Sequence, residues 1–283
     1  MSGHVAGAGL DVFEQEPPPK DHPLVLSDKT VCTPHLGAST KEAQGKVAID
    51  IANQIVDFAL NGVIKNSVNA PPVSIEILRQ ITPYLTLSER LARFVALITD
   101  FAVSEVEIEY LGTISEVETK ILTQGIMRSI LSAQIDGINY VNAPIVAKTR
   151  GVRIKEIKEK DHENYTSLLG IRLIGEKGQN VVYGTLLGKR EPRLVKVNKI
   201  SVDAGLAENM LFMYTHDKPG IIGNLGTALA KKGINIGAMY FGRETLGGLS
   251  MSLLDVDARI ADDLLAELRA MPNVIDVKRL NLT

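Results

Sequence analysis

Short apolar runs and one amphipathic segment open the chain. The runs at 5–13 and 30–33 predict two strands, the first of them buried. A helix is predicted over 39–61, because Ser39 and Glu42 form a capping box at its start. Its apolar positions recur every three or four residues and are Ala43, Val47, Ile51, Ile55 and Phe58. Two strands and one helix bury too little surface to close a core, so we expect the end of a larger α/β domain.

The middle of the chain predicts a self-sufficient α+β domain. Helical spacing covers 74–99 and 115–133, and a shorter helix follows Asn142-Ala143-Pro144. Strand-like runs are predicted at 105–111, 152–157, 168–174, 181–187 and 194–202. Glycines end the last three runs, which is typical of a meander of neighbouring strands.

The last part of the chain predicts the element order βαββαβ. The predicted strands cover 210–215, 234–241, 249–256 and 274–280, and the predicted helices cover 219–232 and 258–270. Two helices on one face of a four-stranded antiparallel sheet form the ferredoxin-like arrangement. We therefore predict a multidomain α+β protein with domains at 1–70, 71–207 and 208–283. The first boundary is placed at Pro71-Pro72, because each proline disfavours helix at the residue before it.

Composition narrows the function classes. The chain has 283 residues, and 31 Lys and Arg against 33 Asp and Glu leave a net charge of −2. Nothing in that balance favours nucleic acid or an anionic membrane as a partner. Cys32 is the one cysteine, so intrachain disulfides and Cys-rich zinc sites are excluded and we expect no metal site. With no predicted membrane span or secretory signal, we expect a cytoplasmic protein.

Glu16 and His35 are the first candidates for chemistry. His35 lies between a predicted strand and a predicted helix, where active sites of α/β sheets are found. A carboxylate at Glu16, if the two strands are neighbours, would raise the pKa of the imidazole and fix its tautomer, as a general acid/base requires. The spacing fits an exposed loop histidine and a solvated glutamate as well.

The segments around this pair resemble a known catalytic signature. Residues 7–17 read Gly-Ala-Gly-Leu-Asp-Val-Phe-Glu-Gln-Glu-Pro, and residues 33–40 read Thr-Pro-His-Leu-Gly-Ala-Ser-Thr. Both are similar to the C-terminal signature of the NAD-dependent D-2-hydroxyacid dehydrogenases. The domain order resembles the long form of that family, with an intervening domain and a C-terminal ACT domain. The resemblance implies a Rossmann-type α/β remnant, an α+β intervening domain and a ferredoxin-like ACT domain.

The resemblance also implies an activity and a role for several residues. The implied activity is NAD-dependent oxidation of 3-phosphoglycerate to 3-phosphohydroxypyruvate in L-serine biosynthesis, with amino-acid feedback. His35 would exchange the proton of the substrate hydroxyl, Glu16 would hold His35, and Asp11 would contact the nicotinamide carboxamide. The implied neighbours of the nicotinamide are His35, Leu36, Gly37 and Ala38.

Two parts of that family's machinery are missing from the sequence. The arginine that grips the substrate carboxylate has no counterpart, and no Gly-x-Gly-x-x-Gly loop follows a strand. We therefore expect this chain to be inactive alone and to bind NAD weakly or not at all. The alternative is a non-catalytic module that senses an amino acid. A reading frame that continues upstream of Met1 would favour the enzyme. A start at Met1 would favour the non-catalytic module.

A second candidate site lies near the start of the last domain. Asp217 is predicted as the N-cap of the helix at 219–232, whose free N–H groups suit a ligand carboxylate. With Asn235, Asp217 would take a ligand ammonium, although both residues also fit purely structural roles. The ACT resemblance implies L-serine or another amino acid as effector, shared across copies of a homo-oligomer. The implied effector residues are Thr215, Asp217, Gly220, Ile221 and Asn235, with Thr215 where serine-sensitive members have His or Tyr.

Two basic segments form the last candidate site. Lys148 and Arg150 open a run rich in cations at 148–160, and Arg193 and Lys199 belong to a second run at 189–199. If the segments converge, they form an anion site, because clustered Lys and Arg bind phosphates and carboxylates. Charged side chains along an exposed strand edge are the simpler interpretation.

Overall fold

The structure of the protein is a computed structural model that describes residues 4–61, 65–67 and 75–282. The chain divides into two compact units, Met1–Ser67 and Val68–Thr283. The predicted boundary at Pro71-Pro72 lies outside the described residues, and the three-domain division stays a prediction.

The first unit is a two-stranded parallel sheet followed by a long helix. Strand β1 (Ala8–Leu10) pairs with β2 (Thr30–Cys32), and helix α1 covers Lys41–Asn61. The N–H of Ala43 donates to Oγ1 of Thr40 at 3.1 Å. Thr40 therefore caps the helix, and the predicted capping box from Ser39 is wrong by one position, because α1 begins at Lys41.

The apolar side chains of this unit are largely exposed. Strand β1 was predicted to be buried, but its residues are exposed or half-buried. The predicted apolar stripe of α1 is exposed too, with Val47 at 58% and Ile55 at 61%. Two strands and one helix offer too little surface to cover this stripe, as the sequence predicts.

The second unit contains a six-stranded sheet. Its order is β4-β3-β5-β6-β7-β8, in which β3 and β4 are parallel and the other neighbours are antiparallel. The strands are β3 (Glu105–Gly112), β4 (Arg153–Glu159), β5 (Ser167–Gly175), β6 (Gly178–Leu187), β7 (Glu191–Val197) and β8 (Ile200–Gly205). The helices of this part are α2 (Ile75–Ile98), α3 (Thr119–Ser132) and α4 (Ala143–Thr149). This arrangement confirms the predicted α+β fold.

The predicted strand at 194–202 is instead a hairpin. Strands β7 and β8 pair antiparallel through Val197 and Ile200, with two residues between them. Asn198 takes a φ of 53°, which asparagine adopts more readily than most residues, and its Oδ1 accepts the N–H of Val181 at 2.9 Å. The apolar pattern continues through the turn, which is why periodicity alone missed it.

The last part of the second unit confirms the ferredoxin-like prediction. Its four strands have the order β10-β11-β9-β12, all neighbours antiparallel. The elements are β9 (Asn209–His216), α5 (Ile221–Lys231), β10 (Ile236–Arg243), β11 (Leu249–Val256), α6 (Asp262–Arg269) and β12 (Val274–Asn281). Both helices pack on one face, where Leu211, Leu225 and Leu264 belong to one buried cluster.

The other face of this four-stranded sheet shares a core with α2. Phe94 of α2 and Phe212 of β9 are fully buried, and their rings meet edge to face with centroids 5.8 Å apart. Met251 and Leu280, from the same sheet, belong to that core as well. The six-stranded and four-stranded sheets are thus joined by one continuous apolar core rather than by a flexible linker.

None of the described helices is both long enough and apolar enough to cross a membrane.

Phe212→Ala tests how much this shared core stabilises the second unit. Removing a fully buried ring is expected to cost about 3–5 kcal/mol in the free energy of unfolding, because the transfer term and the cavity add. Denaturant unfolding of the whole chain measures it. The control is Leu246→Ala, which truncates a side chain that is 84% exposed and should stay within about 0.5 kcal/mol. Equal effects of the two substitutions would contradict the shared core.

Candidate active site and effector site

A cleft of about 420 Å³ lies beside the two parallel strands of the first unit. Asp11 follows β1 directly, and His35 follows β2 after Thr33 and Pro34, so both lie at the carboxyl edge of the sheet. Glu16 completes the polar wall of the cleft. Ligands bind at this edge in open α/β sheets.

His35 and Glu16 form a hydrogen-bonded pair. Nδ1 of His35 lies 2.7 Å from Oε2 of Glu16, while Oε1 of Glu16 accepts the N–H of Phe13 at 3.0 Å. The Glu16 carboxylate raises the pKa of His35, and the same hydrogen bond lowers the pKa of Glu16, with the Phe13 N–H adding to that effect. An ionised Glu16 accepts a hydrogen bond from Nδ1–H of His35, so Nε2 of His35 is left to exchange a proton with a ligand.

Asp11 binds the loop on which His35 lies. Its Oδ1 accepts the N–H of Leu36 at 2.7 Å and its Oδ2 the N–H of Gly37 at 2.7 Å. Thr33 donates to Oδ1 as well. Thr33 is the largest cause of a lowered pKa at Asp11, followed by the N–H of Leu36. Successive N–H groups around a carboxylate form an anion nest. Asp11 therefore positions the His35 loop.

The conformation of His35 depends on this nest. Its φ is 57°, in the left-handed region that few residues other than glycine adopt, and such a conformation costs roughly 1–3 kcal/mol unless its surroundings hold it. A Cβ at Gly37 would lie 3.0 Å from Oδ2 of Asp11, so a glycine fits there best. The strain is located at His35, the candidate acid–base residue.

The predicted neighbours of the nicotinamide lie on one loop and around Asp11, but they do not all face the cleft. Asp11 and His35 line the cleft, whereas Leu36, Gly37 and Ala38 are not among its lining residues. The sequence missed an apolar wall, formed by Phe13, Pro17, Pro18, Val25 and Cys32. Phe13, Pro17 and Pro18 lie within three residues of Glu16 in the sequence. This proximity is the signal that could have indicated an apolar wall beside Glu16.

The residues present fit the nicotinamide end of NAD. Oδ2 of Asp11 has one bonded donor and room for another, which a carboxamide N–H could supply. The apolar wall of the cleft suits a planar ring. The described residues contain no Gly-x-Gly-x-x-Gly loop between a strand and a helix, so nothing in them holds the pyrophosphate.

Asp217 does not cap the helix that follows it, contrary to the sequence prediction. Helix α5 begins after Gly220, whose φ is 97°, and no side chain caps it. Oδ2 of Asp217 instead accepts the N–H of Gly247 at 3.0 Å and Nη1 of Arg243 at 3.0 Å. These two donors, Gly247 first, hold the pKa of Asp217 below its usual range. The carboxylate therefore joins the end of β9 to the loop after β10.

A cleft of about 480 Å³ lies beside Asp217. Gly220 and Ile221, at the start of α5, line it together with Arg243 and Phe241. The uncapped N–H groups of α5 and its dipole favour an anion there. The sequence pattern does not indicate Arg243 as a residue of this cleft, because Arg243 lies far from Asp217 along the chain, at the end of β10.

Two predicted effector residues lie elsewhere. Thr215 is fully buried, and its hydroxyl hydrogen-bonds Oγ of Ser250 at 2.7 Å, so it cannot contact a ligand in the cleft. Asn235 precedes β10 and lies roughly 26 Å along that strand from Arg243, at about 3.3 Å per residue. Its amide donates to Oδ2 of Asp257 at 2.9 Å. Within one chain, Asn235 and Asp217 do not share a site.

The two basic segments of the predicted anion site do not converge within the described part of the chain. Lys148 and Arg150 lie at the end of α4, just before the edge strand β4, while Arg193 lies on β7. Strands β4 and β7 are four positions apart in the sheet, roughly 19 Å at about 4.8 Å per strand. Carboxylates also pair with the cations, as Arg193 with Asp203 at 2.8 Å and Lys199 with Glu244 at 3.2 Å.

Among the described residues no group of three His, Cys, Asp or Glu could hold a metal.

Family models match three parts of the chain. The D-isomer specific 2-hydroxyacid dehydrogenase NAD binding domain matches residues 1–37. The D-3-phosphoglycerate dehydrogenase intervening domain matches 80–198, and the ACT domain matches 209–273. With the His35–Glu16 pair at the sheet edge and the ferredoxin-like sheet, these matches define the class as the D-2-hydroxyacid dehydrogenases in their long form.

Similar proteins specify the relationship within that class. A D-3-phosphoglycerate dehydrogenase of Bacillus subtilis is 33% identical over 99% of this chain and 54% of its own length. Those of Methanocaldococcus jannaschii and Synechocystis are 34% and 32% identical over 99% of this chain, and over 53% and 51% of their own lengths. This chain corresponds to the C-terminal half of the D-3-phosphoglycerate dehydrogenases, and it spans about half the length of these relatives.

Glu16→Gln tests the electrostatic coupling of the pair. Without the carboxylate, the pKa of His35 is expected to fall towards 6.5, since Glu16 is the cause of its raised value. Titration of the His35 ring protons by NMR measures the change. Glu14→Gln is the matched control from the same loop and should leave the titration midpoint of His35 where it is. A midpoint that stays the same in Glu16→Gln would refute the coupling.

Proposed function

We propose that this chain supplies the acid–base pair and the regulatory domains of an NAD-dependent D-3-phosphoglycerate dehydrogenase. The proposed reaction is the oxidation of 3-phosphoglycerate to 3-phosphohydroxypyruvate, which opens L-serine biosynthesis, in the cytoplasm. The observation that carries the proposal is the 2.7 Å contact between Nδ1 of His35 and Oε2 of Glu16 at the edge of a parallel sheet. The similar proteins of Bacillus subtilis and Methanocaldococcus jannaschii are D-3-phosphoglycerate dehydrogenases, which supports this choice of substrate.

In this proposal, each residue of the cleft has a defined role. Asp11 and the apolar wall of the cleft would hold the nicotinamide of NAD, which would supply the hydride acceptor for the carbon that carries the substrate hydroxyl. Nε2 of His35 accepts the hydroxyl proton, and Glu16 stabilises the imidazolium that results. Asp11 holds the His35 loop in its strained conformation and offers its remaining acceptor to the carboxamide. Proton transfer to a positioned group of this kind accelerates a reaction by about 10²–10⁴-fold.

The purified chain alone is expected to form no NADH from 3-phosphoglycerate. It has neither the pyrophosphate loop nor the substrate arginine, so neither reactant is held within reach of His35. Absorbance at the NADH wavelength measures turnover, and calorimetry with NAD should detect weak binding or none. Robust turnover by this chain would overturn the expected inactivity.

The alternative function is a non-catalytic module that senses an amino acid. The match to the ACT domain and the cleft beside Asp217 favour it, because neither involves His35 or Glu16. The sequence of the gene upstream of Met1 distinguishes the two functions. A reading frame that continues upstream of Met1 into a Gly-x-Gly-x-x-Gly unit supports the enzyme, whereas a start at Met1 supports the module.

For the effector we propose L-serine, bound between Asp217 and the start of α5. The helix N–H groups suit its carboxylate, and Asp217 suits its ammonium. Strand β10 is an edge strand of its sheet, and such edges pair with other chains. Antiparallel pairing of β10 with a second copy would bring the copy's Asn235 towards Arg243. We therefore propose a homo-oligomer formed through the ACT and intervening parts.

L-serine is expected to bind the whole chain in a calorimetric titration. Asp217→Asn should weaken it by about tenfold or more, since it removes a hydrogen bond between charged groups. Asp263→Asn, on the outer helix α6, is the matched control and should leave the affinity unchanged. Absence of heat up to millimolar serine would exclude serine as the effector, while leaving the His35 chemistry untested by that experiment.

A further inference from the structure

A third cleft, of about 480 Å³, lies between α2 and α3 and contains three arginines. Arg90 and Arg93 project from α2 one turn apart, and Arg128 projects from α3. None of these residues belongs to the catalytic pair, to the effector cleft or to the basic segments at 148–160 and 189–199. The cleft therefore calls for an explanation of its own.

Within the part of the chain that the structure describes, the charge of this cleft is only partly neutralised. Glu89 is the single carboxylate among the lining residues, and its Oε1 already accepts Nη2 of Arg128 at 2.8 Å. Arg90 and Arg93 form no ion pair with any described residue. In contrast, cations elsewhere in this unit are paired, such as Arg153 with Glu105 at 2.8 Å and Lys155 with Glu107 at 2.6 Å.

The structural bonds of these arginines use only part of their donors. Nη1 of Arg90 donates to the carbonyl of Leu206 at 2.6 Å, and Nε of Arg93 lies 3.4 Å from the carbonyl oxygen of Asn281. Nη1 of Arg93 has a further contact of 3.4 Å with Oγ of Ser132. A guanidinium has five N–H donors in a fork that matches phosphate oxygens. Nε of Arg128 is buried without a protein partner.

We infer that this cleft binds a small organic phosphate monoester. Arg90 and Arg93 would hold the phosphate dianion. The hydroxyls of Ser132 and Thr86 also line the cleft, but each already donates to a backbone carbonyl of its own helix, that of Ser129 or Thr82. The cleft of about 480 Å³ leaves room for an organic part beside the phosphate. The bonds of Arg90 and Arg93 to the segment after β8 and to β12 link occupancy of this cleft to the ferredoxin-like sheet.

Calorimetry of the whole chain with glycerol 3-phosphate and with inorganic phosphate, at constant ionic strength, tests the site. The double substitution R90Q/R93Q removes two charges but leaves an amide donor at each position, and it should weaken binding by about tenfold or more. The matched control is R153Q/K155Q, which removes two charges from β4 and should leave the affinity unchanged. Equal weakening in both variants would show non-specific attraction and overturn the site, as would unchanged binding in R90Q/R93Q or no binding by the unaltered chain.

A second measurement needs no variant. Phenylglyoxal modifies accessible arginines, and bound glycerol 3-phosphate should protect Arg90 and Arg93 but not Arg153, as read by mass spectrometry. Equal modification with and without the phosphate would overturn the proposal even if R90Q/R93Q failed to fold. Neither outcome depends on catalysis by His35 or on serine binding at Asp217.

Discussion

The second unit depends on one packing interaction, the burial of α2 between two sheets. Phe94 meets Phe212 edge to face in a core that contains residues of both sheets. Close-packed interiors have few alternative arrangements, so a displacement of the ferredoxin-like sheet must be felt along α2. The same helix carries Arg90 and Arg93 at its surface. The cleft beside Asp217, helix α2 and the arginine cleft therefore belong to parts of the chain that share one packed core.

The first unit depends on a polar constraint instead. Its apolar side chains are exposed, and hydrogen bonds from the Asp11 and Glu16 carboxylates hold the His35 loop. Each carboxylate performs a different task. Asp11 binds backbone N–H groups and fixes the loop, whereas Glu16 binds the imidazole and sets its charge. The two acidic residues therefore contact different parts of the same loop.

Periodicity predicted nearly every element of the fold, because amphipathic spacing reflects burial directly. It failed at 194–202, where the apolar pattern runs through a turn that only the φ of Asn198 reveals. The pairing of Glu16 with His35 was predictable, since parallel strands align their carboxyl ends. Arg243 and the cluster of Arg90, Arg93 and Arg128 were not, because tertiary packing brings together residues from different elements. The convergence of the basic segments failed for the same reason: strand order is not written in local sequence.

The ion pair between Asp217 and Arg243 has a consequence for any ligand that enters the cleft beside it. An incoming ammonium must share or displace a guanidinium that is half-exposed and already in place. Binding is then an exchange of cations, and the net gain is smaller than the full attraction to a bare carboxylate. Released from Asp217, the same guanidinium becomes available to the ligand's own carboxylate. Arg243 thus occupies the place of the ligand's ammonium before binding and would pair with the ligand's carboxylate afterwards. This arrangement favours molecules that carry both charges.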